Sequence, residues 1–333
     1  MIIYVEYQAK NYLQTKKIIN QFPNAEIIFI RNYKNILNKT IPFNINLKPS
    51  FVIAKLTSDI VDKAPKWYWF NNDLSFVFKT SLNCIFDCEY CFLKWAFKNN
   101  IPVYFVNYDD IKTEIKNTIK SKIKRNSKLE YKNRMWFYSS DYSDILWMNS
   151  ISWFIEEFVP FFEKFNNVMM EIRTKSANIQ PILKLWFIPK NTEISFSLNP
   201  QELIEKYEKW TSNLKERLDS INILLEKWYN VGLRFLPLLP VKNYKYIYEK
   251  FIEHIKNTIQ LEKISSVFVS WLLYTKDDYK RILKRKPDLD VLYFLEEEDD
   301  NFVRASKNFR EYIYKLFLQI SKEYYVCLDK KDL

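Results

Sequence analysis

Apolar and polar positions along this 333-residue chain fall into two recurring patterns. Short runs of β-branched, aromatic and other apolar residues, bounded by polar turns, occupy positions 74–80, 134–138, 168–173, 193–197, 231–237 and 266–271, and each reads as a buried strand. Helical spacing fills the intervals, over 109–124, 149–165, 178–185, 200–228 and 244–261. The helix at 200–228 has a marked start, with Asn199 as N-cap, Pro200 at the first helical position and Glu202 at the capping-box position. At 244–261, Tyr248, Phe251, Ile252, Ile255 and Ile259 share one face, which reads as core, with His254 beside it in solvent. Six βα units in succession predict an α/β fold with a parallel sheet and helices outside it. Six is too few to close an eight-stranded barrel.

Residues 1–70 read as a small α/β lead-in. Strand candidates at 2–5 and 25–30 flank a short helical face of Tyr12, Leu13, Ile18 and Ile19. No internal repeat or low-complexity linker appears, so the one boundary falls near residue 70, with 71–333 as the second unit and its C-terminal extension.

Composition narrows the class. With 48% hydrophobic residues the chain is globular. Tyr4, Glu6, Tyr7 and Lys10 break any N-terminal run of signal-peptide form. The most apolar region, 153–165, is interrupted by Glu156, Glu157 and Glu163, which argues against a membrane span. Four cysteines, most of them grouped, fit a reducing cytoplasm better than a disulfide framework. The formal charge of +11 suggests a polyanionic partner such as DNA or RNA. A chain rich in Lys, Asn, Ile, Tyr and Phe also gains positive charge simply from an AT-rich genome.

Three cysteines lie within eight residues, in Cys84-Ile-Phe-Asp-Cys88-Glu-Tyr-Cys91. Three thiolates on one short loop can hold three irons of a [4Fe–4S] cluster, leaving the fourth iron open to a small chelating ligand. Zinc competes as the metal, but its structural sites take four Cys or His ligands, and the only histidine is the distant His254.

The C-x3-C-x2-C spacing resembles the signature of radical S-adenosylmethionine (SAM) enzymes. Tyr90-Cys91-Phe92-Leu93 narrows it further: the loop is similar to the Cys-x-x-x-Cys-x-Tyr-Cys-Tyr-Leu loop of the spore photoproduct lyase family. Other segments follow in the family's order. Ser139-Ser140-Asp141-Tyr142-Ser143-Asp144 resembles its Gly-Glu-x-Ser-Asp, Arg173-Thr174-Lys175-Ser176-Ala177-Asn178 its Arg-Thr-Lys-Ser-x-Asn, and Ser197-Leu198-Asn199-Pro200 its Ser-x-Asn-Pro. The stretches around Glu208–Thr211 and Trp228–Gly232 also match, and that from Phe309 to Cys327 does so loosely, so the resemblance runs from about Trp67 to Cys327.

The resemblance implies an open (β/α)6 partial barrel, with the cysteine loop after its first strand and active groups at the C-terminal strand ends. It implies that Cys84, Cys88 and Cys91 bind a [4Fe–4S] cluster. Asp141 would receive the SAM amino group, Lys175 would contact the SAM carboxylate, and Ser197 would hydrogen-bond SAM. Tyr90 is the retained phenol of a catalytic pair. The activity implied is one-electron cleavage of SAM to methionine and a 5′-deoxyadenosyl radical, in the cytoplasm, with an electron donor such as flavodoxin or ferredoxin. Taken alone, 139–144 also reads as a solvated Ser/Asp turn capping the next helix, and 171–178 as a basic strand end.

The sequence departs from the family at telling places. Spore photoproduct lyase repairs a thymine–thymine lesion in DNA, using a cysteine on the second-strand segment as hydrogen-atom donor, and Asp141 stands at that position. Phe92 replaces the second tyrosine. The spare thiol, Cys327, reads as a C-terminal core residue. The expectation is a lyase-like enzyme on a nucleic-acid base, with two alternatives: a radical SAM enzyme on a small molecule or peptide, and an iron–sulfur or zinc module that binds nucleic acid without turnover.

Ordinary usage of about 7% predicts roughly 23 glycines, whereas this chain has one, Gly232, alongside 10 tryptophans. Trp210 and Trp228 stand where the family segments carry glycine. One account is that UGA is read as glycine in the source organism, so that some tryptophans here stand for glycine. The other is AT-driven drift away from glycine codons.

Overall fold

The computed structural model describes residues 1–39, 50–64, 72–122, 130, 133–297, 301–320 and 325–326. Its largest sheet has eight strands. Six run parallel, each paired with the next in chain order: Ser75–Phe78, Met135–Tyr138, Val168–Thr174, Thr192–Ser197, Asn230–Leu238 and Ser266–Trp271. These are the six strands expected from the apolar runs. Val61–Lys63 adds an antiparallel strand at one edge and Tyr325–Val326 a parallel one at the other, so the sheet stays open. The strands read as continuous apolar runs because both faces are buried; every residue of Met135–Tyr138 is buried.

Aromatic packing seats the helices. Phe154, Phe158 and Phe162, on the helix Phe154–Phe162, all meet Phe78 of the first barrel strand, and Phe162 also meets Phe137 of the second. On the helix Tyr244–Thr258 the expected face is buried, with Tyr248, Phe251, Ile252, Ile255 and the following Ile259 each at most 5% exposed and His254 outside.

Two of the long helices expected from sequence are each broken in two. The one at 149–165 is the pair Ile145–Ser152 and Phe154–Phe162, parted at Trp153, whose φ is 51°. The one at 200–228 is Gln201–Tyr207 and Leu214–Glu226, parted by a two-residue strand, Glu208–Lys209. Asn199 does not cap the first of these. Pro200 is the N-cap and offers no side-chain acceptor, while Asn199 Nδ2 donates to Glu208 at 3.0 Å and to the Pro237 carbonyl at 3.2 Å. A capping box does form nearby, between Asn213 and Glu216.

The lead-in holds Ile2–Glu6, Glu26–Ile30 and Ser50–Ala54 in parallel. Val103–Phe105 and then Ser81–Leu82 complete that sheet, so segments from both sides of residue 70 share it.

Inside the barrel, Arg234 donates to Glu171 at 2.5 Å and to Glu193, and Ser266 and Ser195 also donate to Glu193. Gly232 sits against this group. A Cβ there would lie 2.6 Å from Glu193 Oε1, 2.7 Å from Ser195 Oγ and 2.8 Å from Arg234 Nη1, so no larger residue fits without moving a buried charge.

Candidate active site

The C-terminal strand ends open onto a cavity of about 530 Å³. The loop after the first strand contributes Cys84, Cys88, Cys91 and Phe92. The second strand end gives Ser140 to Asp144, the third Arg173 to Lys175, the fourth Ser197 and the fifth Leu236. Leu273, Tyr274, Thr275, Asp278 and Phe302 form the far wall.

The cysteine loop is tied down by backbone pairing and polar side chains. Asn83 has φ 69°, and its amide donates to the carbonyls of Asn99 (2.7 Å) and Ile101 (3.2 Å) while accepting from Cys84 N. Asp87–Cys88 pairs antiparallel with Glu208–Lys209, and Glu89 N reaches the Tyr207 carbonyl at 2.8 Å. Tyr274 Oη donates to the Tyr90 carbonyl at 2.6 Å. A Lys94–Asp87 ion pair also bridges within the loop.

The three thiols share one electrostatic environment. Burial pushes Cys84 up to about 12, with Asp144 and Cys91 adding to the rise. Burial also raises Cys88 well above its ordinary value; Glu208 and the other two cysteines act in the same direction and Lys175 opposes them. Neutral thiols are thus favoured until a cation compensates them, as expected of soft ligands whose charge is meant for metal. Among the described residues this wall carries three cysteines and no fourth Cys or His, a donor set whose chemistry suits three irons of a [4Fe–4S] cluster better than a four-ligand zinc site.

Lys175 is half-buried on the cavity wall, its Nζ 5.8 Å from the Tyr90 ring centre. Burial opposes its charge, but Glu208 and Cys88 outweigh burial and raise its pKa. Ser197 is buried beside it on the lining. Asp141 lines the same cavity, its carboxylate 4.0 Å from Arg173, which is held in turn by Glu171 at 2.7 Å. Tyr90 differs from the others: it is buried off the lining, and its hydroxyl is given to Glu208. Cys327 lies outside the described residues.

Two carboxylates that the sequence places in matched segments without a role in the site are held here by the fold. Asp144 is buried and caps the helix Ile145–Ser152 through Trp147 N at 3.0 Å. It also takes Thr174 Oγ1 at 2.9 Å and Lys175 N at 2.8 Å, so it fixes the third strand end that carries Lys175. Glu208 opens a stretch that matches the family, and the fold shows that stretch to be a turn closed by Thr211 N on Glu208 O, not part of a continuous helix.

An open parallel barrel with a three-cysteine loop after its first strand and polar groups on the neighbouring strand ends defines a radical SAM enzyme. A profile of spore photoproduct lyase matches residues 1–319, and the chain belongs to the spore photoproduct lyase family. Spore photoproduct lyase of Clostridium acetobutylicum is 25% identical over 245 residues, 73% of this chain and 69% of that protein. A spore photoproduct lyase double mutant with bound AdoMet and dinucleoside spore photoproduct superposes with a TM-score of 0.78 at 16% identity, over 98% of both chains. Another, complexed with dinucleoside spore photoproduct, gives 0.77 at 16% identity and the same coverage. Among the described residues no helix is long and apolar enough to cross a membrane.

Proposed function

We propose that this chain acts on a damaged or modified nucleic-acid base as a radical SAM lyase. The observation that carries the proposal is the convergence of Cys84, Cys88, Cys91, Lys175 and Ser197 on one cavity. Its volume, about 530 Å³, suits a cofactor with part of a small substrate. The three cysteines would hold a [4Fe–4S] cluster, which when bound supplies the electron for cleaving SAM to methionine and a 5′-deoxyadenosyl radical.

The chain's own groups hold and orient. Lys175 meets the SAM carboxylate as a charge already selected by Glu208, and Ser197 adds a hydrogen bond. Asp141 offers its carboxylate to the SAM ammonium. Phe92 and Tyr142, ring centres 6.4 Å apart in an edge arrangement, together with Phe302 give apolar walls on which a base can rest. A base in duplex DNA must leave the stack to reach them, and the +11 charge favours its phosphates. A protein one-electron donor such as flavodoxin or ferredoxin, in a reducing cytoplasm, completes the reading.

The test is 5′-deoxyadenosine formation by anaerobically reconstituted, reduced protein, with and without UV-irradiated DNA. Formation stimulated by the DNA and lost in Cys88→Ala supports the proposal. An iron-loaded protein that makes none under either condition refutes it.

A further inference from the structure

We propose that Glu208 is a positioning residue that braces the cluster loop from behind and balances the charge facing the cluster. The inference rests on reading the cavity as a cluster and SAM site. Glu208 is buried and lies opposite Cys88 in the antiparallel register. Its carboxylate accepts from the Tyr90 hydroxyl, from Asn199 at 3.0 Å and from Arg217 at 2.7 Å. Arg217, itself fully buried, donates onward to the Ser197 carbonyl at 2.7 Å. One carboxylate thus joins the cluster loop, through Tyr90, to the fourth strand end, which carries Ser197.

Charges of both signs meet in this wall. Lys175 and Arg217 are positive, Glu208 is negative, and three thiolates around a cluster add negative charge beside them. In a low-dielectric wall a carboxylate near a cluster opposes the added electron, and an arginine left without that carboxylate favours it. Removing the charge of Glu208 alone therefore raises the cluster's reduction potential. Removing Glu208 and Arg217 together returns it toward the parent value.

The experiment compares parent, Glu208→Gln and a Glu208→Gln/Arg217→Met double variant as anaerobically reconstituted holoproteins, by iron content and EPR-monitored redox titration. The expected result is an upward shift in the single variant that the double variant reverses. An unchanged potential in Glu208→Gln or an equal shift in both variants overturns the proposal, and loss of cluster in both overturns its charge balance, leaving only the brace. A parent that takes up no four-iron cluster refutes the proposed function instead.

The backbone carries a second, independent inference: residues 153, 210 and 228 are glycine in the protein as its own cell makes it. Seven described non-glycine residues have positive φ. Four are Asp59, Asn83, Asn167 and Asn243, the types that tolerate this region. The other three are all tryptophan: Trp153 at 51°, Trp210 at 67° and Trp228 at 65°.

Two occupy glycine positions by their hydrogen bonding, and the third by its left-handed backbone at a helix end. Trp228 N donates to Leu225 O and Tyr229 N to Leu224 O, the Schellman closure of the helix Leu214–Glu226, which places Trp228 at its left-handed residue. Trp210 is third in a turn closed by Thr211 N to Glu208 O, where a positive φ calls for glycine. Trp153 ends the helix Ile145–Ser152, its N–H on Asn149 O at 2.9 Å. The indoles at 210 and 228 are 71% and 78% exposed, so little burial offsets the strained backbone. UGA differs from the tryptophan codon UGG in its last base alone and from the glycine codon GGA in its first. Where these three codons are UGA, a cell that decodes UGA as glycine places glycine at all three sites.

Peptide mass spectrometry of protein from the native host reads the residues directly. Glycine is expected at 153, 210 and 228, with Trp136 and Trp271, buried in regular strands, remaining tryptophan. In recombinant protein, Trp210→Gly and Trp228→Gly each raise Tm by about 2–4 °C. Tryptophan at 210 and 228 in the native protein, or a lower Tm in both variants, overturns the inference.

Discussion

The hydroxyl of Tyr90 donates to the buried carboxylate of Glu208 and does not enter the cavity that Cys88, Cys91 and Phe92 line. A phenol so held is expected to brace the loop rather than meet substrate. Tyr90→Phe removes a hydrogen bond to a charged acceptor and is expected to cost about 1.5–3 kcal/mol in urea unfolding of the apoprotein. Iron content and 5′-deoxyadenosine formation should stay within a few-fold of the parent. Product formation lost at normal iron content would instead give the phenol a direct part in the chemistry.

Cluster and SAM requirements separate by mutation. Cys88→Ala should lose both iron and 5′-deoxyadenosine. Lys175→Ala should keep its iron yet bind SAM at least 10-fold more weakly, the loss of about 1.4 kcal/mol or more from a charged contact. Equilibrium dialysis with SAM and iron assay on the same samples distinguishes the two.

Asp141 cannot donate a hydrogen atom as a thiol does. If the cavity takes a dinucleoside lesion, Asp141→Cys should raise the yield of repaired dinucleotide per SAM consumed, scored by chromatography of the dinucleoside products. An unchanged or lower yield with unchanged iron would point to a different substrate.

Acid stability reports on Glu208. Burial alone would raise its carboxyl, but Arg217, Lys175 and the Tyr90 hydrogen bond outweigh burial and hold it near 2, against 4.5 ordinarily. A carboxyl depressed on folding stabilises the protein fully above its unfolded value, and that contribution fades as pH falls from about 4.5 toward 2. Urea midpoints measured between pH 5 and 3 should fall less steeply in Glu208→Gln than in the parent.

The six barrel strands and the cysteine loop were legible because local pattern specifies them. Strands buried on both faces appear as apolar runs whatever lies beyond them, and Cys84, Cys88 and Cys91 are neighbours in sequence. The break within 200–228 is invisible to periodicity for a physical reason. Helical periodicity persists through Tyr207 and resumes at Leu214, whereas the interruption exists to bring Glu208 beside Cys88, a pairing 120 residues apart in the chain. Propensity predicts a cap at Asn199, but a buried long-range acceptor takes its amide instead.

The sequence by itself determined the fold class, the three-cysteine loop and the order of the segments that reach the cavity, since each is carried by local pattern along the chain. Only the tertiary structure decided that the Tyr90 hydroxyl goes to Glu208, that Glu208 pairs with Arg217 beside the cysteine loop, and that three tryptophans occupy left-handed backbone. Those facts depend on charges and dihedral angles fixed by packing between distant strands, where a buried carboxylate must find its partners or lose its charge.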